Sequence, residues 1–209
     1  LEPAGPGRVQ EGLANVLAGK GEAELDAGEE AQQADIHRGR APQDLQFTFG
    51  PHGKPALSGR RDDASLCFNL SHSLDKALLA VSNGLPVGVD IEAIRPDLPD
   101  SVLAAGVLTP GELDELAQLP PKQQTDVFFA CWARKEACMK ALGLGLALEP
   151  RSLHVGMIPA RQRVLSDHAP DYIDLSPLPS PSGHAAALAV LGGFGKMLYR
   201  QASLPGRSD

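Results

Sequence analysis

The side chains best placed for chemistry fall in two short stretches, Val87-Gly88-Val89-Asp90-Ile91-Glu92 and Trp132-Ala133-Arg134-Lys135-Glu136-Ala137-Cys138-Met139-Lys140. The first alternates as a strand does, so Val87, Val89 and Ile91 face one side and Gly88, Asp90 and Glu92 the other. Two carboxylates then project from one edge, roughly 6.5–7 Å apart at Cα. The second stretch reads as helix, with Glu136 and Lys140 as i,i+4 neighbours on one face. A helix docked beside such a strand brings three carboxylates and an ammonium together. Carboxylate oxygens are hard ligands for Mg²⁺, and a lysine is a point charge for a phosphate, so the set suits a divalent cation and a pyrophosphate.

Taken singly, each piece has a plainer reading. An Asp-x-Glu at a strand end is usually solvated surface, and a helical Glu–Lys pair is usually an exposed ion pair worth a few tenths of a kcal/mol. Ser71-His72-Ser73 follows an apolar run and offers two hydroxyls and an imidazole, all competent phosphate donors. Adjacent residues in an extended segment point to opposite sides, which argues against Ser71 and His72 as a nucleophile and its base. The combination is more specific. With Gly53-Lys54-Pro55 and Phe68-Asn69-Leu70-Ser71-His72-Ser73 upstream, four motifs stand in order over residues 53–145. The sequence resembles the 4′-phosphopantetheinyl transferases of the Sfp type.

That resemblance implies transfer of the 4′-phosphopantetheine arm of coenzyme A to a serine of an apo acyl or peptidyl carrier protein, with adenosine 3′,5′-bisphosphate released. Coenzyme A is then a substrate and Mg²⁺, with Mn²⁺ as a substitute, the cofactor. Asp90, Glu92 and Glu136 would hold the metal, and Lys140 would neutralise the leaving phosphate. Lys54, Ser71 and His72 would contact the nucleotide end. The proton acceptor for the serine is either Glu136 or a metal-bound water that it holds. The implied fold is α/β (α+β), a pseudo-twofold pair of small halves, each an antiparallel sheet with a helix, and the active site between them. Two other classes compete with this reading. A metal-dependent nuclease is disfavoured because Cys138, not Lys, stands two places after Glu136 and no basic face is evident. A catalytically impaired coenzyme A- or carrier-binding member of the same fold is the alternative.

Several elements must position these residues. Leu45–Phe49 alternates as a strand, and Gly50-Pro51-His52-Gly53-Lys54-Pro55 forces a turn or extended loop. Leu66–Leu70 reads as a short strand that ends at Ser71, Ala77–Val81 as another, and Asn83-Gly84 as a hairpin turn returning through Val87–Ile91. Thr109-Pro110-Gly111-Glu112 starts a helix, with Thr109 as N-cap and Glu112 closing a capping box. That helix stops before Pro120-Pro121. A longer one runs from about Lys122 to Leu142 and ends at Gly143. Leu153–Met157, Tyr172–Leu175, His184–Leu191 and Lys196–Arg200 read as strands of a second sheet. Residues 8–38 place Val9, Leu13, Val16 and Leu17 on one helical stripe, broken near Gly19-Lys20-Gly21. This helix departs from the family pattern of an initial strand and a basic helix. Lys20, Arg38 or Arg40 would have to supply the base for the 3′-phosphate.

Composition narrows the reading further. The 209 residues are 43% hydrophobic but only 4% aromatic, so aliphatic side chains must fill the core. The net charge of −7 argues against nucleic acid or acidic membranes as partners. The excess is concentrated: residues 1–50 hold 9 acids and 4 bases, leaving the motif-bearing part near neutrality. Cys67, Cys131 and Cys138 form neither a Cys-x-x-Cys pair nor an even set, which favours buried thiols and a reducing cytoplasm. No run approaches the roughly 18 apolar residues of a membrane span. The organisation expected is an atypical N-terminal segment (1–43), an N-terminal half with the coenzyme A loops (44–98), a C-terminal half with the metal-binding helix (99–204) and a tail (205–209). A monomer is expected.

Overall fold

The computed structural model describes residues 13–20, 44–58, 66–97, 101–169 and 171–201, with residues 13–20 and 201 by their backbone. Among these described residues ten strands run in chain order: β1 (Leu13–Lys20), β2 (Gln46–Phe49), β3 (Pro55–Ser58), β4 (Leu66–Ser73), β5 (Lys76–Asn83), β6 (Val87–Ala93), β7 (Gln162–Val164), β8 (Ile173–Pro177), β9 (His184–Leu191) and β10 (Lys196–Gln201). Three helices, α1 (Ser101–Val107), α2 (Pro110–Gln118) and α3 (Pro121–Leu142), lie between β6 and β7. The fold is mixed α/β, with small, mainly antiparallel sheets, as expected. One sheet has the order β10-β1-β5-β4, the other β6-β9-β8-β7, and β2-β3 forms a separate hairpin.

Apolar side chains on both faces of the central strands set the layers. Ala185, Ala187 and Ala189 of β9 pack on α3 in the largest core cluster, which also takes in Phe128, Phe129, Cys131, Ala137 and Cys138. The alternate residues Ala186, Leu188 and Val190 join Val87, Val89 and Ile91 of β6 against Leu78 and Ala80 of β5. The other face of β5 packs with Phe68 and Leu57 toward the β2–β3 hairpin. The order is therefore helix, second sheet, first sheet, hairpin.

The two sheets meet in an unusual way. β6 is the outer strand of its sheet, yet its edge is covered. The N–H groups of Val89, Ile91 and Ala93 donate to Asn69 Oδ1 (2.8 Å), Ser71 Oγ (3.3 Å) and Ser73 Oγ (3.0 Å) on β4. Side-chain oxygens thus replace a backbone ladder and satisfy donors that burial would otherwise penalise.

Both helix boundaries around Pro120 and Pro121 follow the sequence. Thr109 caps α2, Glu112 returns the capping-box bond, and Gly143 at φ 71° ends α3. Other expectations are corrected. Residues 13–20 form a strand, not a helix: β1 pairs antiparallel with β5 and parallel with β10. The initial strand expected of the family is therefore present. Asn83-Gly84 does not close a hairpin, because β4 and β1 already occupy both edges of β5, and β6 pairs with β9 instead. Similarly β9 lies between β6 and β8, so Lys196–Gln201 joins the first sheet and not the second. β4 does not stop at Leu70 but continues through Ser73. Leu153–Met157 is not a strand. Its N–H groups at Val155 and Gly156 bind Glu112, and carbonyls of Leu153, Val155 and Gly156 bind Lys135 and Arg134. The readings of residues 1–12, 21–43 and 202–209, including Arg38 and Arg40, lie outside the described residues.

Candidate functional site

Gly88 decides how close α3 comes to β6. A Cβ built there would lie 2.1 Å from the Ala137 carbonyl oxygen, 2.3 Å from Ala141 N and 2.9 Å from the Lys140 carbonyl carbon. All three are backbone atoms, so only glycine permits this packing. Facing β9 residues are alanines, which keep the same surface shallow. The helix therefore rests on the strand face that carries Asp90 and Glu92, and it brings Glu136 and Lys140 to them.

Asp90 is the centre. It is 2% exposed, and its Oδ1 accepts from Ser71 Oγ at 2.8 Å and from Lys140 Nζ at 2.7 Å. Lys140 Nζ also donates to Ser71 Oγ at 3.0 Å. Three elements, β4, β6 and α3, thus supply one polar triad. The second oxygen of Asp90, Oδ2, is buried without a hydrogen-bond partner among the described residues. Glu92 and Glu136 are half-buried beside it. Burial, then the Asp90 charge, pushes Glu92 up to about 7, with Glu136 adding to the rise and Lys140 and Arg95 opposing it. Burial and Asp90 likewise hold Glu136 above the usual carboxylate range, against the pull of Lys140.

An orphaned carboxylate oxygen and two carboxyls that resist ionisation are what a cation would relieve. Among the described residues no three His, Cys, Asp or Glu side chains close a metal cage by themselves. Mg²⁺ is commonly held by one or two carboxylates together with substrate phosphates and waters, so Asp90, Glu92 and Glu136 fit that kind of site.

The remaining residues singled out in the sequence lie apart from this triad. His72 is exposed and, by strand alternation, on the opposite face of β4 from Ser71. Lys54 reaches the far end of α3, where its Nζ donates to the carbonyls of Val87 (2.9 Å), Lys140 (2.6 Å) and Ala141 (3.2 Å). Burial lowers its pKa to about 8, partly offset by Cys67. A cavity of about 530 Å³ opens beside Lys54, between the β2–β3 hairpin and the end of α3; its walls include Phe49, His52, Cys67, Phe68 and Leu142. Trp132 sets its ring edge-on to Phe128 at 5.6 Å, and its indole Nε1 is buried without a partner among the described residues.

Sequence reasoning missed the roles of Arg134 and Lys135. Lys135 is buried and pairs with Glu112 at 2.7 Å, while Arg134 is buried among the carbonyls of Ala130, Val155, Gly156 and Ile158. Burial alone would raise the Glu112 carboxyl, but Lys135 and the N–H groups of Thr109 and Val155 outweigh it and hold it low. The capping box made Glu112 visible as a helix start only. The signal for Lys135 was its spacing from Cys131 and Met139, which puts it on the apolar stripe.

The sequence profile of the 4′-phosphopantetheinyl transferase superfamily matches residues 86–189. That segment contains Gly88, Asp90, Glu92, Glu136 and Lys140 and omits Lys54, Ser71 and His72. The chain is 34% identical over 157 residues to the 4′-phosphopantetheinyl transferase HetI of Nostoc sp., covering 75% of this chain and 65% of the relative. It is 41% identical over 98 residues to the 4′-phosphopantetheinyl transferase AcpT of Escherichia coli K12, covering 47% and 49%. A 4′-phosphopantetheinyl transferase of Bacillus subtilis is 33% identical over 117 residues, covering 56% and 50%. The chain thus spans about half to two thirds of the length of these curated relatives. With Gly88 seating α3 so that Lys140 meets the Asp90 that the profile also spans, sequence and geometry agree: the chain belongs to the 4′-phosphopantetheinyl transferase superfamily.

Proposed function

We propose that this chain transfers the 4′-phosphopantetheine arm of coenzyme A to a serine hydroxyl of an apo acyl or peptidyl carrier protein. The observation that carries the reading is the meeting of Ser71, Asp90 and Lys140 beside two carboxyls of raised pKa. The activity for which these relatives are named points the same way. The serine oxygen bonds to the phosphorus that bears the pantetheine arm, and the bridging P–O bond of the pyrophosphate breaks. The electron pair leaves with adenosine 3′,5′-bisphosphate.

Asp90, Glu92 and Glu136 are assigned to Mg²⁺, or Mn²⁺, which when bound supplies positive charge to the pyrophosphate. Glu136, or a water that it holds, takes the serine proton. Lys140, partly exposed while paired with Asp90, turns its charge to the departing phosphate. Ser71 holds the Asp90 carboxylate in register, and His72 serves the nucleotide end. Since serine is a weak nucleophile, in-line placement supplies much of the rate.

We place the chain in the cytoplasm, because Cys67, Cys131 and Cys138 are free thiols suited to a reducing compartment, and we propose that it acts as a monomer. Among the described residues no helix is long and apolar enough to cross a membrane.

Intact-mass spectrometry of an apo carrier incubated with the chain, coenzyme A and Mg²⁺ tests the reading. A carrier that gains one phosphopantetheine only when metal is present supports it. No gain across fatty-acid, polyketide and nonribosomal-peptide carriers, from a sample that binds coenzyme A, would leave the impaired-member alternative.

A further inference from the structure

Lys54 offers three N–H donors, the full complement of an ammonium, and each meets a carbonyl oxygen, that of Val87, Lys140 or Ala141. The acceptors share a location. Lys140 and Ala141 belong to the last turn of α3, the negative end of the helix dipole, and the Lys140 carbonyl also accepts the Gly143 N–H (3.1 Å). Val87 is the first residue of β6. One side chain therefore ties the start of the strand bearing Asp90 to the end of the helix bearing Lys140.

The surroundings are built for this reach. Gly53 sits at φ 82° and Gly50 exchanges backbone bonds across the turn, with Gly50 N donating to Lys54 O (2.9 Å) and Gly53 N to Gly50 O (3.0 Å). The turn thereby fixes where Lys54 leaves the hairpin. A Cβ on Gly143 would stand 3.5 Å from Lys54 Cδ, ordinary van der Waals contact, so the lysine stem runs alongside the C-cap of α3. The tie lies next to the close approach of helix and strand at Gly88, against Ala137 and Ala141. An ammonium kept for a phosphate would present free donors, whereas here all three are engaged inside the fold.

We propose that Lys54 is a positioning residue: its ammonium clamps β6 to the C-terminal turn of α3 and so holds Lys140 on Asp90, in place of the coenzyme A phosphate contact implied by the family resemblance. The kinetic part rests on the transferase reading; the structural part does not.

The test compares Lys54→Met, which keeps the stem and removes the donors, with Lys54→Arg, which restores a cation. Three quantities are measured on the whole chain: amide hydrogen exchange at Gly143 and Leu144, whose N–H groups bond to Lys140 and Met139 carbonyls; the coenzyme A dissociation constant by calorimetry; and kcat with KM for carrier modification. The Met variant is expected to exchange at least about tenfold faster at the end of α3 and to lose about tenfold or more in kcat, with coenzyme A affinity within about threefold of wild type. The Arg variant is expected to recover most of both losses. Unchanged exchange together with coenzyme A binding weakened about tenfold or more overturns the proposal and makes Lys54 a ligand contact. If the Met variant does not fold, Lys54→Gln, which keeps two N–H donors, carries the same comparison. If the wild-type chain modifies no carrier, the transferase reading falls, and hydrogen exchange still decides the clamp.

Discussion

Replacing Gly88 by alanine should separate the two elements that make the site. The new Cβ would stand 2.1 Å from the Ala137 carbonyl oxygen and 2.3 Å from Ala141 N. A carbon–oxygen contact is comfortable at about 3.3 Å or more, so α3 has to retreat by roughly 1 Å. No side chain can rotate to relieve the contact, because every clashing atom is backbone. Overpacking of this kind costs about 1–3 kcal/mol, and for a domain of this size each kcal/mol shifts Tm by about 2–4 °C. The loss of about 2–12 °C is read by thermal denaturation. Activity should fall further than stability: Glu136 and Lys140 move with the helix, and a misplacement near 1 Å can cost about 10²-fold in rate. Gly106→Ala is the control, since a Cβ there meets nothing within 4 Å and alanine in a helix gains up to about 1 kcal/mol. If Gly88→Ala melts with wild type and transfers phosphopantetheine at the wild-type rate, the helix does not rest on the strand as described, and the site geometry built on that contact is wrong.

Glu92 makes the stability of the metal-free chain depend on pH. Its pKa rises from 4.5 unfolded to about 7 folded; the folded state then binds the extra proton, and stability falls as pH rises through that window. Mg²⁺ opposes the repulsion, so its stabilising shift in Tm should be larger at pH 8 than at pH 5.5; equal shifts at both would remove Glu92 from the cation site. Asp90→Asn keeps the shape but not the charge that faces Lys140, and should lower the transfer rate by about 10² or more in the mass assay while the chain still folds by circular dichroism. The Glu112–Lys135 pair is buried on both sides, so Glu112→Gln or Lys135→Met alone should cost about 3–5 kcal/mol in urea denaturation. The double variant should cost less than the two added together, since each single one strands the other partner.

What could be read from the sequence depended on whether the determining contacts were local. Thr109 to Glu112 announces a helix start because a capping box closes within four residues. The alternation of Val87–Glu92 is likewise local, and it correctly assigns Asp90 and Glu92 to the face that meets α3. Leu13, Val16 and Leu17 fit a helical stripe as well as a strand, and what makes them strand is pairing with Lys76–Ser82 and Lys196–Gln201. No spacing within residues 8–38 carries that information. The same blindness produced the hairpin at Asn83-Gly84: once β1 is missed, β5 has an apparent free edge for β6 to join. Arg134 and Lys135 were legible as charges but not as buried ones, because their partners are mostly carbonyls of residues 150–158, where side chains take over the work of a ladder.

Ser71 shows how far hydrogen-bond counting can sort these roles. A hydroxyl has one hydrogen and two lone pairs. Here the hydrogen goes to Asp90 Oδ1, and the lone pairs receive Lys140 Nζ and the Ile91 N–H. Ser71 is therefore saturated while Lys140 rests on it, and it has no donor to give a phosphate. His72, one residue along, is exposed on the other face of β4 and is under no such constraint. The two neighbours cannot serve coenzyme A in the same way. If Lys140 moves to a phosphate, Ser71 loses an acceptor role but keeps its hydrogen on Asp90, so Asp90 stays oriented while its other oxygen, Oδ2, remains available to a cation. Ser71 thus acts through Asp90, which leaves His72 as the residue we propose for a nucleotide contact along this strand.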